Sequence, residues 1–424
     1  DTVNFLSFNY ANVDMGTGAD DLLVIDLSGT VQNGNVNSIS QMGGNPLVAS
    51  ADGWSGSLFY PNVALGLSFT NVDRFQITGS AAADTFYTGS GNDVVNSGDG
   101  NDVVDVGSGN DQANGGAGLD KISANMSAAT AAVLWDLVGN TYSGPGGSAF
   151  SNFEQFGTLR TGSGNDVIKT ASKLENIFNA ESIFTGAGSD TVTIVRNGPA
   201  LGTSTSVDMG SGTDDRLVID VSARNAGFSN SLATDANGHS GTAFYPGGTP
   251  ELSWAGVDHF TITTSGATDA IVTGSGNDVV NAGGGNDTVD VGTGLNQADG
   301  GAGVDRITVD MSSATAAINW DLVANTYSGP GGTSFSNFEQ FGVLKTGSGN
   351  DVVLTCTVAP HAWTGATSAL WSNPNNWNPA TVSEFSGAAS FSYPIQVPPG
   401  VNGFQPNLSV GYSSRGVDGH GSSN

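Results

Sequence analysis

Five aspartates recur at nine-residue intervals, at Asp84, Asp93, Asp102, Asp111 and Asp120, and the spacing returns at Asp269, Asp278, Asp287, Asn296 and Asp305. Most of them close a short glycine turn, as in Gly89-Ser90-Gly91-Asn92-Asp93 and Gly98-Asp99-Gly100-Asn101-Asp102. Two glycines one residue apart allow a sharp bend with positive φ and leave bare carbonyls facing one way. An Asp two residues later adds a hard anionic oxygen beside them. Six to eight such oxygens are the donor set that Ca²⁺ prefers. Softer metals call for His or Cys. The four histidines, His239, His259, His361 and His420, lie outside the repeats, and Cys356 is the single cysteine.

The elements that would carry these turns are short strands. Val94-Val95, Val103-Val104, Val279-Val280, Thr288-Val289 and Ile307-Thr308-Val309 sit between turns, flanked by Gly and Asn. The second residue after each Asp is apolar and is expected to point inward: Val95, Val104, Ile122, Val280, Val289 and Ile307. No stretch shows sustained helical periodicity with caps, so little or no helix is expected. Strands of about three residues cannot build a sandwich, but they can stack coil upon coil in a parallel β-solenoid. The fold class read here is all-β.

Composition agrees with a metal-loaded repeat. The chain has 424 residues with 63 Gly, 39 acidic and 11 basic residues, and a net charge of −28. Such a chain repels nucleic acid and anionic membranes, and its self-repulsion opposes compaction unless cations intervene. One cysteine excludes an internal disulfide, so bound metal is the expected stabiliser. No run of about 18 apolar residues suggests a transmembrane helix. The chain starts with Asp1-Thr2-Val3, similar to the turn ending Asp190-Thr191-Val192, and is expected to be a piece of a longer polypeptide.

A larger duplication overlies the short period. Val13-Asp14-Met15-Gly16 returns as Val207-Asp208-Met209-Gly210, and Asn152-Phe153-Glu154-Gln155-Phe156-Gly157 returns at residues 337–342. The spans 120–166 and 305–351 are equal in length, as structural coils would be. The expected organisation is a first copy over 1–170, connecting coils over 171–206 and a second copy over 207–357. A Trp- and Pro-rich element follows over 358–386, then a small C-terminal β or irregular segment over 387–424.

Gly115-Gly116-Ala117-Gly118-Leu119-Asp120-Lys121-Ile122 and Gly300-Gly301-Ala302-Gly303-Val304-Asp305-Arg306-Ile307 resemble the RTX, or haemolysin-type calcium-binding, repeat in full. The resemblance covers roughly residues 1–355. It implies a right-handed parallel β-roll in which two nonapeptides make one coil. Turns nine residues apart then lie on opposite edges, and turns eighteen apart stack. By that mapping Asp84, Asp102 and Asp120 share an edge opposite Asp93 and Asp111, while Asp269, Asp287 and Asp305 share one opposite Asp278. Calcium would sit between stacked turns, and Asn296 would weaken the site beside Asp278. Solitary Gly-x-Gly-x-Asp turns at Asp20, Asp166, Asp190, Asp214 and Asp351 join the candidate ligands, with Asp166, Asp190 and Asp214 spaced 24 apart. Asp84 and Asp269 close end turns that lack the second glycine, so these two are the candidates for turns without metal. Asp14 and Asp208, just before turns, are expected to be solvated.

The competing reading is a metal-free solenoid in which each Asp bonds its own turn amides; unpaired carboxylates would then stack against one another. The segment holding Trp363, Trp371 and Trp377 is read as core of a small β element ahead of a sugar platform. The stretch 387–414 resembles the opening of the virulence plasmid B protein and insecticidal toxin-complex B family. No catalytic motif is found, so a non-enzyme is expected. The expectation is therefore a secreted bacterial module that takes Ca²⁺ outside the cell, attached to downstream toxin domains. The alternatives are an adhesin for a host-cell surface or glycan, and a non-catalytic module of an extracellular polysaccharide-modifying enzyme.

Overall fold

The computed structural model describes residues 1–5, 11–29, 37–40, 47–60, 63–172, 181–196, 204–244, 250–355, 390–395 and 408–413. The Trp- and Pro-rich segment, Cys356, the expected boundary near 357 and the tail beyond 413 lie outside these residues. Within the toxin-like stretch, Ser390–Ile395 and Leu408–Ser413 form an antiparallel pair.

Strands dominate, and the chain winds as a solenoid whose parallel strands stack in two sheets. Inside the nonapeptide blocks each strand pairs with the one eighteen residues on, as Val94 with Gln112 and Val103 with Lys121. In the second block Val279 pairs with Gln297 and Thr288 with Arg306. Alternate nonapeptides therefore feed opposite sheets. In the first sheet Val167–Ser172, Thr191–Arg196, Arg216–Asp220 and His259–Thr263 pair in succession, in coils of 24, 25 and 43 residues. The second sheet passes through Glu181–Gly188, Thr205–Asp208 and Pro250–Val257.

The core is a column between the sheets. Val95, Val104, Ile122, Val280, Val289 and Ile307 are buried, whereas Val94 and Val279 next to them are exposed, the period-two signature of a strand. Full burial of one such side chain contributes about 1.5–3 kcal/mol, so each coil depends on its neighbours for a core. Where the chain leaves the nonapeptide rhythm, aromatic rings fill the larger coil. Trp135 stacks on Phe150 with centroids 4.5 Å apart and meets Phe156 edge-on. Trp320, Phe335 and Phe341 repeat the arrangement in the second copy.

Both copies also insert an antiparallel meander into the second sheet. In one, Pro250–Val257, Gly238–Phe244 and Ser229–Asp235 lie between Thr205–Asp208 and Ala270–Val272. In the other, Val63–Val72, Gly53–Tyr60 and Asn37–Ser40 lie between Ala11–Asp14 and Asp84–Tyr87. Its Trp54 donates from Nε1 to Ser90 Oγ in the first nonapeptide turn, and His239 sits against Ser275 in the matching place.

Candidate metal centre

Several glycine turns open with a local hydrogen bond. Asp105 accepts from Gly107 N, Asp208 from Gly210 N, Asp290 from Gly292 N and Asp299 from Gly301 N, all about two residues ahead. These Asx turns start the bend. The same bond is made by Asp14 to Gly16 N. The glycines then bring successive turns together. Gly107 has φ +63, and a Cβ there would lie 1.5 Å from the carbonyl oxygen of Gly89, eighteen residues earlier. A Cβ on Gly109 would meet Gly91 O at the same distance. Only glycine lets these carbonyls approach the next turn.

Asp84 accepts within its own turn from Ser80 N and Oγ, but the aspartates that follow it form ladders between coils. Oδ1 of Asp102 accepts from the backbone N of Asp84 at 2.7 Å, and Oδ1 of Asp120 from Asp102 N at 2.8 Å. On the other edge Asp93 accepts from Phe75 N and Asp111 from Asp93 N. The second block repeats this: Asp287 serves Asp269 N, Asp305 serves Asp287 N, Asp278 serves Phe260 N and Asp269 serves Phe228 N. All of these aspartates are at most 3 % exposed. The competing expectation of bonding within one turn thus holds at Asp84 and gives way to bonding between coils at the others.

That leaves the second oxygen. Oδ2 of Asp93, Asp102, Asp120, Asp269, Asp278, Asp287 and Asp305 is buried with no hydrogen-bond partner. Burial pushes the carboxyls of Asp93, Asp102, Asp120, Asp278 and Asp287 up to about 7, with Asp111 at about 6. Backbone hydrogen bonds, and then the nearby hydroxyls of Thr88 at Asp93 and Ser97 at Asp102, oppose this, while neighbouring carboxylates such as Asp111 beside Asp93 and Asp120 beside Asp102 add to it. A buried carboxylate with one orphaned oxygen requires a proton or a cation.

One rung shows what the orphaned oxygen faces. Asn296 occupies the place of an Asp, its Oδ1 accepting from Asp278 N at 3.0 Å. Its Nδ2 donates to Val291 O, five residues back, at 2.9 Å. In an Asp turn the corresponding atom is an oxygen. In two Asp turns the glycine five residues back, Gly115 or Gly300, lies on that oxygen's side: a Cβ there would approach Oδ2 of Asp120 or Asp305 to 2.8 and 3.0 Å. Carbonyl and carboxylate oxygens at a glycine cradle, with no hydrogen in place, suit a hard divalent cation. Among the described residues no three His, Cys, Asp or Glu side chains converge on a point. An ion here would take one or two carboxylates and complete its shell with turn carbonyls.

The remaining expected residues fall in two groups. Asp166 and Asp190 join the ladder, Asp166 serving Val133 N and Asp190 serving Asp166 N. Asp351 serves Ile318 N. Asp20 and Asp214 do not join it. Asp20 takes φ +83 and pairs with Arg74, and the exposed Asp214 lies 2.8 Å from His259 Nε2. The ladder position passes to the next residue: Asp21 takes the terminal amine of Asp1, and Asp215 serves Asp190 N. These turns hold one more residue between glycine and strand, so the second acid of each pair reaches the column.

Beside Glu181, which accepts from Phe156 N at 3.3 Å, four further acids in the ladder have no glycine turn. Asp73 serves Asp21 N, Asp258 serves Asp215 N, Glu154 serves Asp120 N and Glu339 serves Asp305 N. Each precedes a phenylalanine by two residues, and Phe75, Phe156 and Phe260 are fully buried. Acid-x-Phe is thus a sequence signal for a rung at which the ladder shifts by two residues. The acid serves the coil before, and the Phe amide donates to the coil after, as Phe75 N to Asp93 and Phe260 N to Asp278.

A family model four copies long, described as the RTX calcium-binding nonapeptide repeat, matches residues 78–113, 105–126 and 263–298. No curated protein matches the chain.

Proposed function

This chain carries RTX calcium-binding nonapeptide repeats, and we propose that it is a calcium-dependent structural module of a secreted bacterial toxin or surface protein. The observation that carries the reading is the row of buried aspartate Oδ2 atoms without hydrogen-bond partners. Calcium supplies the positive charge that those oxygens lack. Asp93, Asp102, Asp111 and Asp120 hold ions with the turn carbonyls of the first block, where Ser80 occupies Oδ2 of Asp84, and Asp269, Asp278, Asp287 and Asp305 do so in the second.

The residues perform two tasks at once. Oδ1 fixes the spacing of coils through the amide ladder, and Oδ2 with the glycine carbonyls offers the ion its oxygens. Because the oxygens converge only when coils stack, metal binds the folded chain and shifts the folding equilibrium by RT ln(1 + [Ca²⁺]/Kd). The chain is accordingly unfolded where calcium is scarce and ordered outside the cell. A net charge of −28 strengthens this dependence, since bound cations relieve the repulsion. The toxin assignment rests on the resemblance of residues 387–414, and no catalytic role is assigned to the module.

Far-UV circular dichroism of the chain in chelator and then in millimolar calcium tests the reading. A disordered spectrum converting to β-structure is expected. A β spectrum indifferent to chelator would overturn it.

A further inference from the structure

We infer that the coils between the two nonapeptide blocks carry a third stack of calcium sites, built on turns 162–166, 186–190 and 210–215. The inference rests on the calcium reading above and extends it to residues outside the segments that the repeat family matches. These coils are 24 and 25 residues long, not 18, yet their turns reproduce the block geometry.

The glycine cradle is present. A Cβ on Gly186 would lie 2.0 Å from Gly162 O, and one on Gly188 would lie 2.2 Å from Gly164 O. The next step repeats it, Gly210 against Gly186 O at 2.0 Å and Gly212 against Gly188 O at 2.2 Å. The ladder is present too. Asp190 Oδ1 accepts from Asp166 N at 2.8 Å, and Asp215 Oδ1 accepts from Asp190 N at 2.9 Å. Asp190 and Asp215 are both fully buried, and Oδ2 of each has no hydrogen-bond partner. The hydroxyl of Thr185 donates instead to Met209 O. Only Asp166 has its Oδ2 bonded, by Thr161 Oγ1.

The opposite edge of the same coils shows how the protein neutralises buried acid when it uses its own cations. There Glu251 receives both terminal nitrogens of Arg224, at 2.7 and 3.0 Å. Glu181 accepts from Thr170 and Thr205, and Arg196 donates to Thr205. Both arginines are 5 % exposed. Among the described residues of that edge no stacked glycine turn occurs, and the guanidinium groups of Arg196 and Arg224 lie there. On the edge of Asp190 and Asp215 the glycines expose carbonyls, and the carboxylates receive no guanidinium bond. A divalent cation bound by oxygens completes that edge. The last ligand is Asp215, since Asp214 faces solvent beside His259.

The test is calcium stoichiometry of the full chain by titration calorimetry and equilibrium dialysis, comparing the parent with the double variant Asp190→Asn and Asp215→Asn. Asn296 shows that an amide is accommodated in a rung, so the variant is expected to keep its coils. Loss of at least one bound ion, with the remaining ions unchanged in affinity, supports the third stack. An unchanged ion count overturns it and leaves the nonapeptide sites standing; a parent that binds no calcium removes both readings. If the variant fails to fold, the parent loaded with a paramagnetic lanthanide replaces it. Broadening of the Val192 and Leu217 methyl signals, alongside those of Val95 and Val280, is then expected. Sharp Val192 and Leu217 signals beside broadened Val95 and Val280 would overturn the inference.

Discussion

Asn296 donates through Nδ2 to the carbonyl oxygen of Val291 at 2.9 Å while its Oδ1 holds the amide of Asp278. The first copy has Asp111 and Val106 in the equivalent places. One rung therefore closes with its own hydrogen bonds, and its counterpart does not. Asn296→Asp should add one bound calcium by titration calorimetry and lower stability in chelator by about 1–3 kcal/mol, the cost of a buried unsatisfied group. Asp111→Asn should do the reverse: one ion fewer, and a chelated chain that unfolds at higher denaturant.

The ladder and the metal can be separated at Asp102. Asp102→Ala removes the acceptor of Asp84 N as well as an ion ligand, whereas Asp102→Asn keeps the acceptor. Urea unfolding in saturating calcium should show the alanine variant about 1–3 kcal/mol below the asparagine variant. Equal midpoints would mean that the amide bond contributes nothing.

Acidity acts on the metal-free chain through the raised aspartates. Their folded pKa values, about 7 for Asp93, Asp102 and Asp278, stand above the unfolded 3.8. The folded state then binds more protons than the unfolded state, so this contribution is full below pH 3.8 and is lost as pH rises through about 7. Chelated protein should therefore gain structure on moving from pH 8 to pH 5. Calcium needs the ionised form, so binding should release protons near pH 6 and weaken in acid. Calorimetry in buffers of different ionisation enthalpy reads that release.

The acid-x-Phe rungs predict a contrast without metal chemistry. Glu154 Oε2 accepts from Asp120 N at 3.0 Å. Glu154→Gln retains a carbonyl acceptor and should change stability little, while Glu154→Ala should cost about 1–3 kcal/mol. Glu339, bonded to Asp305 N at 2.7 Å, should respond in the same way. Thermal unfolding in calcium distinguishes the two substitutions.

Much of the solenoid is legible in the residues because its period is local. Asp, two glycines and one inward Val or Ile per nine residues fix turn, edge and core face, and Val95, Val104 and Val289 lie where that rhythm puts them. The extra residue in the turns before Asp21 and Asp215 is not visible in a Gly-x-Gly-x-Asp match, which stops at Asp20 and Asp214. The meanders escape for another reason. Their strands, such as Gly53–Tyr60 and Gly238–Phe244, pair with partners that no repeat specifies. The Arg224–Glu251 pair is equally silent, since a single arginine among strands carries no spacing signal.

Among the described residues the amide ladder points one way: each ladder carboxylate reaches back to the coil before it, from Asp73 holding Asp21 N to Asp351 holding Ile318 N. The two ends of any trimmed fragment are therefore unequal. Cutting away later coils strips acceptors from buried N–H groups left behind, which has no cheap remedy. Cutting away earlier coils removes backbone acceptors, such as Asp102 O for Lys121 N and Asp93 O for Gln112 N, but the carboxylates it frees are readily covered by water. The side-chain acceptor of each winding comes from its successor, so shortening the protein from its C-terminal side removes ladder bonds that shortening from the other side leaves intact.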